Sequence, residues 1–313
     1  MGTYSQMTPP ILFLIFNRPD LVEISFREIR KAKPSQLFVA ADGPRAIKEG
    51  EAELCEQARR IVDHVDWECE IHTLFRDENL GCRKAVSSAI SWFFDHVEDG
   101  IILEDDCVPE HSFFRFCGDM LARYRNDERV MCVTGDNFQD GIARGRASYY
   151  FSIYNHCWGW ATWRRAWNHF DHDLKNWERL RETRFLQKLM PRKSADYWTR
   201  AFDSVLTNKV DSWAYIWTFS CWSQNGVTAT PNQNLVSNIG FDTRATHTAD
   251  ATSASSRLQS HQIAFPLSHP SRVRRNRKAD RYVEKNSFGI QLPDSYSDRV
   301  QRKLKKLVSG TKT

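Results

Sequence analysis

The chain has 313 residues, 41% of them hydrophobic and 27% charged, with a net charge of +5, the balance of an ordinary globular protein long enough for one large core or two small ones. No apolar stretch approaches the roughly 18–20 residues that a membrane span needs. The first residues, MGTYSQMTPP, lack the basic-then-apolar order of an export signal, so a cytoplasmic protein is expected.

Residues 1–9 are expected to be disordered. Residues 10–16 (PILFLIF) read as a buried strand, and Pro19 opens a helix over 19–32, where its missing N–H costs nothing. Residues 36–41 (QLFVAA) read as a second strand, broken by Asp42-Gly43-Pro44, with a charged helical pattern over about 48–64. Residues 68–75 (ECEIHTLF) alternate as a third strand, and Asn79 is placed to cap a helix running to about 96. Residues 100–103 form a fourth short strand. Strand–helix alternation of this kind predicts a mostly parallel sheet covered by helices.

Ligands of such sheets bind at the carboxyl ends of the strands. Polar clusters fall there after all four: Asn17-Arg18, Asp42-Gly43, Arg76-Asp77 and Glu104-Asp105-Asp106. The last is the most demanding. Three adjacent carboxylates at the end of a buried strand repel one another, and burying any of them unpaired is costly. A divalent cation would relieve them, since carboxylates are its hard oxygen donors. They could also cap the helix expected near His111, or pair with Arg18 or Arg76. A phosphate-cradling glycine loop, GxGxxG or GxxxxGK[ST], does not follow the first strand. A nucleotide bound here would therefore need its phosphates neutralised in another way, and a carboxylate-held metal ion would do so.

The second half is of another kind. Residues 130–134 and 148–153 read as strands, and Trp-rich helical stretches follow near 160–170, 176–190 and 194–209. Residues 211–224 are aromatic and polar together, 227–240 look irregular, and 248–260 look like a Ser/Thr/Ala loop. Most of the 11 tryptophans fall between Trp158 and Trp222. Each is read first as core, although Trp also lines sugar pockets. The eight cysteines are scattered without a CxxC pair, which fits free thiols in a reducing compartment.

LEDD after the fourth strand resembles the DxD-type motif of GT-A glycosyltransferases, and its EDD form is similar to that of N-acetylglucosaminyltransferase I. FLIFNRPDLV, VAADG and RDENLGCRKAV resemble successive blocks of the same fold. YNHCWGWATWRRAW and DSWAYIW…NLVSNIG…ATHT resemble bacterial nucleotide-diphospho-sugar transferases. The resemblance spans roughly residues 10–248. It implies an α/β domain of GT-A type: a nucleotide-binding half over 10–110 and a helix- and Trp-rich acceptor half over 111–248. The implied activity is transfer of a sugar from a nucleotide-diphosphate donor, UDP-linked, to a glycan or glycolipid hydroxyl, inverting and dependent on Mn²⁺ or Mg²⁺.

The resemblance also implies roles. Arg18, Arg76 and Asn79 would line the nucleotide, and Asp42 would read the uracil edge. Asp106 would ligate the metal, Asp105 would face the ribose or share the metal, and Glu104 would face the donor. Asp211 would be the general base, although this chain has Asp211-Ser212 where the family carries two adjacent acids. The bland reading of Asp211 is a helix N-cap ahead of SWAYIW. His247 would be a late metal or phosphate ligand, or a solvated histidine in a polar loop.

Two rival readings remain. A sugar-phosphate nucleotidyltransferase uses a similar sheet and metal, but usually with a glycine-rich basic loop after the first strand. A non-catalytic anion-binding module would work through residues 249–313, a loop and basic tail. From Ser271 onward, 13 Lys and Arg face four Asp and Glu, a net of +9 that leaves the rest at −4. VRRNRK, and RVQRKLKKLV with Val300, Leu304, Leu307 and Val308 at helical spacing, suit nucleic acid or an anionic membrane surface. The second segment equally suits a helix packed on the body. The expected partners are therefore a nucleotide-sugar and a glycan or lipid-linked acceptor, with peripheral membrane contact through the tail and nucleic acid not expected.

Overall fold

The structure, a computed structural model, describes residues 8–241 and 258–292. Its centre is β1 (Ile11–Ile15), an apolar run with every residue buried. β2 (Gln36–Ala41), β3 (Glu70–Phe75) and β4 (Asp99–Glu104) join it in parallel, in the order β3-β2-β1-β4. A strand covered on both faces reads as continuous hydrophobics, which is why β1, β2 and β4 were legible. Beyond β4 the sheet continues with β8 (Trp160–Trp163), β6 (Val130–Thr134), β9 (Val227–Pro231) and β7 (Tyr149–Ser152). β8 is antiparallel to both its neighbours and β7 to β9, so the sheet is mostly parallel. β5 (Cys107–Pro109) and β10 (Val236–Asn238) form a separate antiparallel ribbon.

Two apolar layers sandwich the sheet. On one face lie α1 (Pro19–Ala32), α2 (Glu51–Arg59) and α4 (Ser112–Tyr124), which bury Val22, Phe26, Ile29, Ala58, Phe113 and Met120 against it. On the other lie α3 (Cys82–His96), α5 (Arg164–Trp167), α8 (Arg192–Leu206) and α9 (Trp213–Ser223), with Ile90, Phe93, Trp167, Trp198 and Trp217 inward. The short helices α6 (Trp177–Glu182) and α7 (Phe185–Leu189) brace α8. Eight of the 11 tryptophans are buried, so the Trp-rich stretch is packing.

Several elements depart from the sequence reading, each for a local reason. WATW is strand β8 rather than helix: wedged between β4 and β6, its backbone completes two ladders, and this tertiary pairing overrides the helical reading. The irregular 227–240 contains β9 and β10. The helical pattern over 48–64 starts only at Glu51 and finishes as a 3₁₀ turn, Arg60–His64. The pattern over 176–190 breaks at Arg184, whose φ of 55° is left-handed. Asn79 does not cap α3; the cap is Gly81.

Residues 258–292 return across the body. Their helix, α10 (Arg277–Asn286), buries Val283 and two acids. Glu284 accepts hydrogen bonds from Tyr154 at 2.8 Å and Ser194 at 2.9 Å, and Asp280 accepts one from Ser152 at 2.6 Å. The tail segment RVQRKLKKLV lies outside the described residues.

Candidate functional site

The register of the parallel strands brings their carboxyl ends level. Leu14 pairs with Glu104, Ile15 with Ala41, and Ala41 with Phe75. Polar residues that follow each strand therefore meet around one cavity of about 810 Å³, although Asp77 and Asp106 are not among the residues that line it. Arg18, Asp42, Arg76, Asn79, Glu104, Asp105 and Asp211 all line it, brought together from segments distant in sequence. Its floor is apolar, made by Leu14 and Ala40 of the sheet and Ala85, Val86 and Ala89 of α3.

The acid triplet is met first by a guanidinium. Arg18 Nη2 donates to Asp105 Oδ1 and, at 2.8 Å, to Asp106 Oδ2. Burial works against the Arg18 cation, but Asp105 and Asp106 outweigh it and hold it above its ordinary value. Asp106 also accepts from Asn238 Nδ2 at 3.2 Å, and the backbone of Gly240 lies against its carboxylate. A Cβ at Gly240 would run into that carboxylate, so the loop after β10 approaches this closely only as glycine. The Glu104 side chain has no hydrogen bond or ion pair among the described residues. Burial, then Asp106 and Asp105, push its carboxyl above the usual range; burial does the same to Asp105 against the pull of Arg18.

The other strand-end residues are largely spent on holding loops. Asp42 accepts from the backbone N–H groups of Gly43 at 3.0 Å, Leu80 at 3.0 Å and Gly81 at 3.2 Å. Burial raises its pKa while those amides oppose the shift. Asn79 donates to the Gly43 carbonyl at 2.8 Å. Together they pin the β2 turn to the entry of α3, so Asp42 shapes the cavity wall from within. Arg76 reaches Ser88 of α3 at 2.8 Å.

Sequence reasoning missed one wall. Glu51, 4% exposed, accepts from Asn17 Nδ2 at 2.8 Å and from the Arg45 N–H at 2.7 Å, besides its ion pair with the Arg45 guanidinium. The hydrogen bond from Arg45 holds Glu51 below the usual carboxylate range despite burial. Arg45 also lies over the Phe16 ring, 5.6 Å from its centroid. The available signal was an Arg, a Lys and three acids within 45–53, which passed for a solvated helix face.

Asp211 stands on the loop before α9. Its N-cap role falls to Ser212, and Asp211 instead reaches the start of α3, accepting from the Arg83 N–H at 3.4 Å and facing Arg83 Nε at 3.6 Å. More than half of its side chain is exposed, at the cavity mouth. His247 lies outside the described residues. The helix near His111 takes its first-turn support from Glu110, which accepts from the Ser112 N–H at 2.8 Å, so the triplet is not its cap.

No family model matches the chain, and no curated protein does. Among solved structures it is similar to TarS 1–349 of S. aureus, at 9% identity and a TM-score of 0.41, covering 72% of this chain and 59% of that one. It is also similar to the inositol-1-phosphate CTP transferase of T. maritima, at 11% identity and 0.35, covering 72% and 86%. HddC of Yersinia pseudotuberculosis follows, at 11% identity and 0.31, covering 50% and 77%. The chain thus spans less than two thirds of the TarS structure, and none of these likenesses assigns it a function.

Carboxylates are the hard oxygen donors that divalent cations take. Three carboxylates face one guanidinium, and Glu104 is left unpaired among the described residues. Among the described residues no group of three His, Cys, Asp or Glu side chains could hold a metal ion. Mg²⁺-type sites commonly use one or two carboxylates, with substrate phosphates and water supplying the rest. Glu104 and Asp106 are the residues here that would hold such an ion. Among the described residues no helix is long and apolar enough to cross a membrane.

Proposed function

We propose that the chain is a metal-dependent glycosyltransferase of GT-A type, moving a sugar from a UDP-linked donor to a glycan or glycolipid hydroxyl. The observation that carries this is the convergence of Arg18, Asp42, Arg76, Asn79, Glu104, Asp105 and Asp211 on one cavity at the carboxyl edge of a parallel sheet. Such edges are where α/β folds bind nucleotides, and these residues are among those the GT-A resemblance names.

The apolar floor and the α3 entry would receive the nucleoside, with its position set by the Asp42–Asn79 latch. Arg18, and Arg45 on the opposite wall, would offset charge on the diphosphate. A divalent cation bound by Glu104 and Asp106 would supply further positive charge to the leaving group. Asp211 would accept the proton of the acceptor hydroxyl, which is a poor nucleophile near neutral pH. Its exposed place at the mouth lets an acceptor approach from solvent. Displacement by a separate hydroxyl at that mouth inverts the anomeric centre.

The test is UDP release from a panel of UDP-sugars with Mn²⁺, with and without candidate glycan acceptors. Acceptor-stimulated release that a chelator stops supports the proposal. Release of pyrophosphate from a nucleoside triphosphate and a sugar phosphate, with no UDP release, would give the function to a nucleotidyltransferase instead.

A further inference from the structure

The sequence motif VRRNRK is divided by the fold. Arg275 turns inward to pair with Asp280, and Asn276 caps α10, accepting from the Ala279 N–H at 3.1 Å. Arg274 stays outside, as does Arg272 just before the motif; both are exposed. Neither side chain has a hydrogen bond or ion pair among the described residues. They face the end of α4 across a second cavity of about 470 Å³, whose other guanidinium groups are Arg123 and Arg129. Among the described residues no acidic residue lines it. Among the described residues only Arg129 is neutralised nearby, by a two-pronged pair with Asp127 at 2.9 and 2.7 Å.

Four guanidinium groups against one carboxylate leave this hollow with an excess of three positive charges. Like charges held together in this way call for a counter-anion, and a single carboxylate would not supply enough charge. Guanidinium forks match phosphate oxygens in pairs. A polynucleotide is less well suited, since the hollow is compact and its one ring, Tyr124, is buried. Arg129 precedes the amino end of β6, whereas the larger cavity lies at the carboxyl edge of the sheet, and the two share no lining residue.

We propose that this hollow is a second anion site that takes a phosphate-bearing group, separate from the cavity at the strand ends and independent of the reaction proposed there. The group would be a phospholipid headgroup or a soluble phosphate, which share the same recognition chemistry.

The experiment uses the full chain. Calorimetry with inorganic pyrophosphate and co-sedimentation with phosphatidylglycerol vesicles are run on wild type, R272A/R274A and R123A. Because Arg272 and Arg274 are exposed and unpaired, R272A/R274A should keep the wild-type melting temperature, and R123A probes the same hollow from α4. Each variant is expected to weaken one of the two ligands by about tenfold or more, and R272K/R274K, which keeps charge but not the fork, to recover part of it. Loss of vesicle binding identifies a lipid headgroup, and loss of pyrophosphate binding a soluble phosphate. Wild-type affinity for both ligands in all variants overturns the site. So does binding of neither ligand by wild type, or oligonucleotide binding lost in R272A/R274A while pyrophosphate and vesicles have no effect.

Discussion

Replacing Arg18 with Leu removes the one cation among the described residues that pairs with the acid triplet. Arg18 Nη2 serves both Asp105 and Asp106, and the three side chains are 14%, 5% and 14% exposed. The pairs are therefore close to buried, where removing one partner leaves a charge without compensation. Asp106 keeps Asn238, but Asp105 loses its side-chain partner. Breaking such a pair typically costs about 3–5 kcal/mol. Urea denaturation in the presence of a chelator should show a loss of about 3 kcal/mol or more for R18L. Adding Mn²⁺ should restore part of that loss and stabilise R18L more than wild type, because the ion binds only the folded acid cluster. A loss below about 1 kcal/mol, the usual worth of a surface pair, would refute the reasoning.

Asp211→Asn should retain UDP binding by calorimetry while kcat falls about 10²- to 10⁴-fold; a loss under tenfold moves the base elsewhere. Gly240→Ala should push the Asp106 carboxylate aside and raise the Mn²⁺ concentration needed for half-maximal turnover, with far-UV circular dichroism unchanged. Burial holds His156 down to about 3 from its ordinary 6.5, so as pH falls below 6.5 the unfolded chain takes up a proton that the native state refuses. Stability is then lost on acidification, by at most about 2 kcal/mol between pH 7 and pH 5. Urea midpoints of His156→Phe should fall less over that interval than those of wild type.

What was legible in the sequence was what local pattern encodes. β1, β2 and β4 are apolar runs ending in polar clusters, and a parallel ladder makes those ends meet whatever the intervening helices do. The EDD was legible because three acids after a buried run demand a partner, although composition could not say that Arg18 answers first. That depends on Leu14 lying beside Glu104 in register. β8 was not legible, since WATW carries no alternation and becomes a strand only because β4 and β6 flank it. Nor was the Glu51–Arg45–Asn17 wall, which joins two loops to the first turn of α2. Asp211 was picked out as a base or an N-cap of its own helix; its contact with the start of α3 is long-range, and no window of sequence contains it.

The most direct test is calorimetric titration of UDP into wild type and Asp106→Ala, each with Mn²⁺ and with chelator. The account predicts that Mn²⁺ tightens binding to wild type at least about tenfold, a difference of about 1.4 kcal/mol, and that Asp106→Ala retains only the chelator-level affinity. Equal affinity in all four titrations, or no UDP binding by wild type with Mn²⁺, would contradict it.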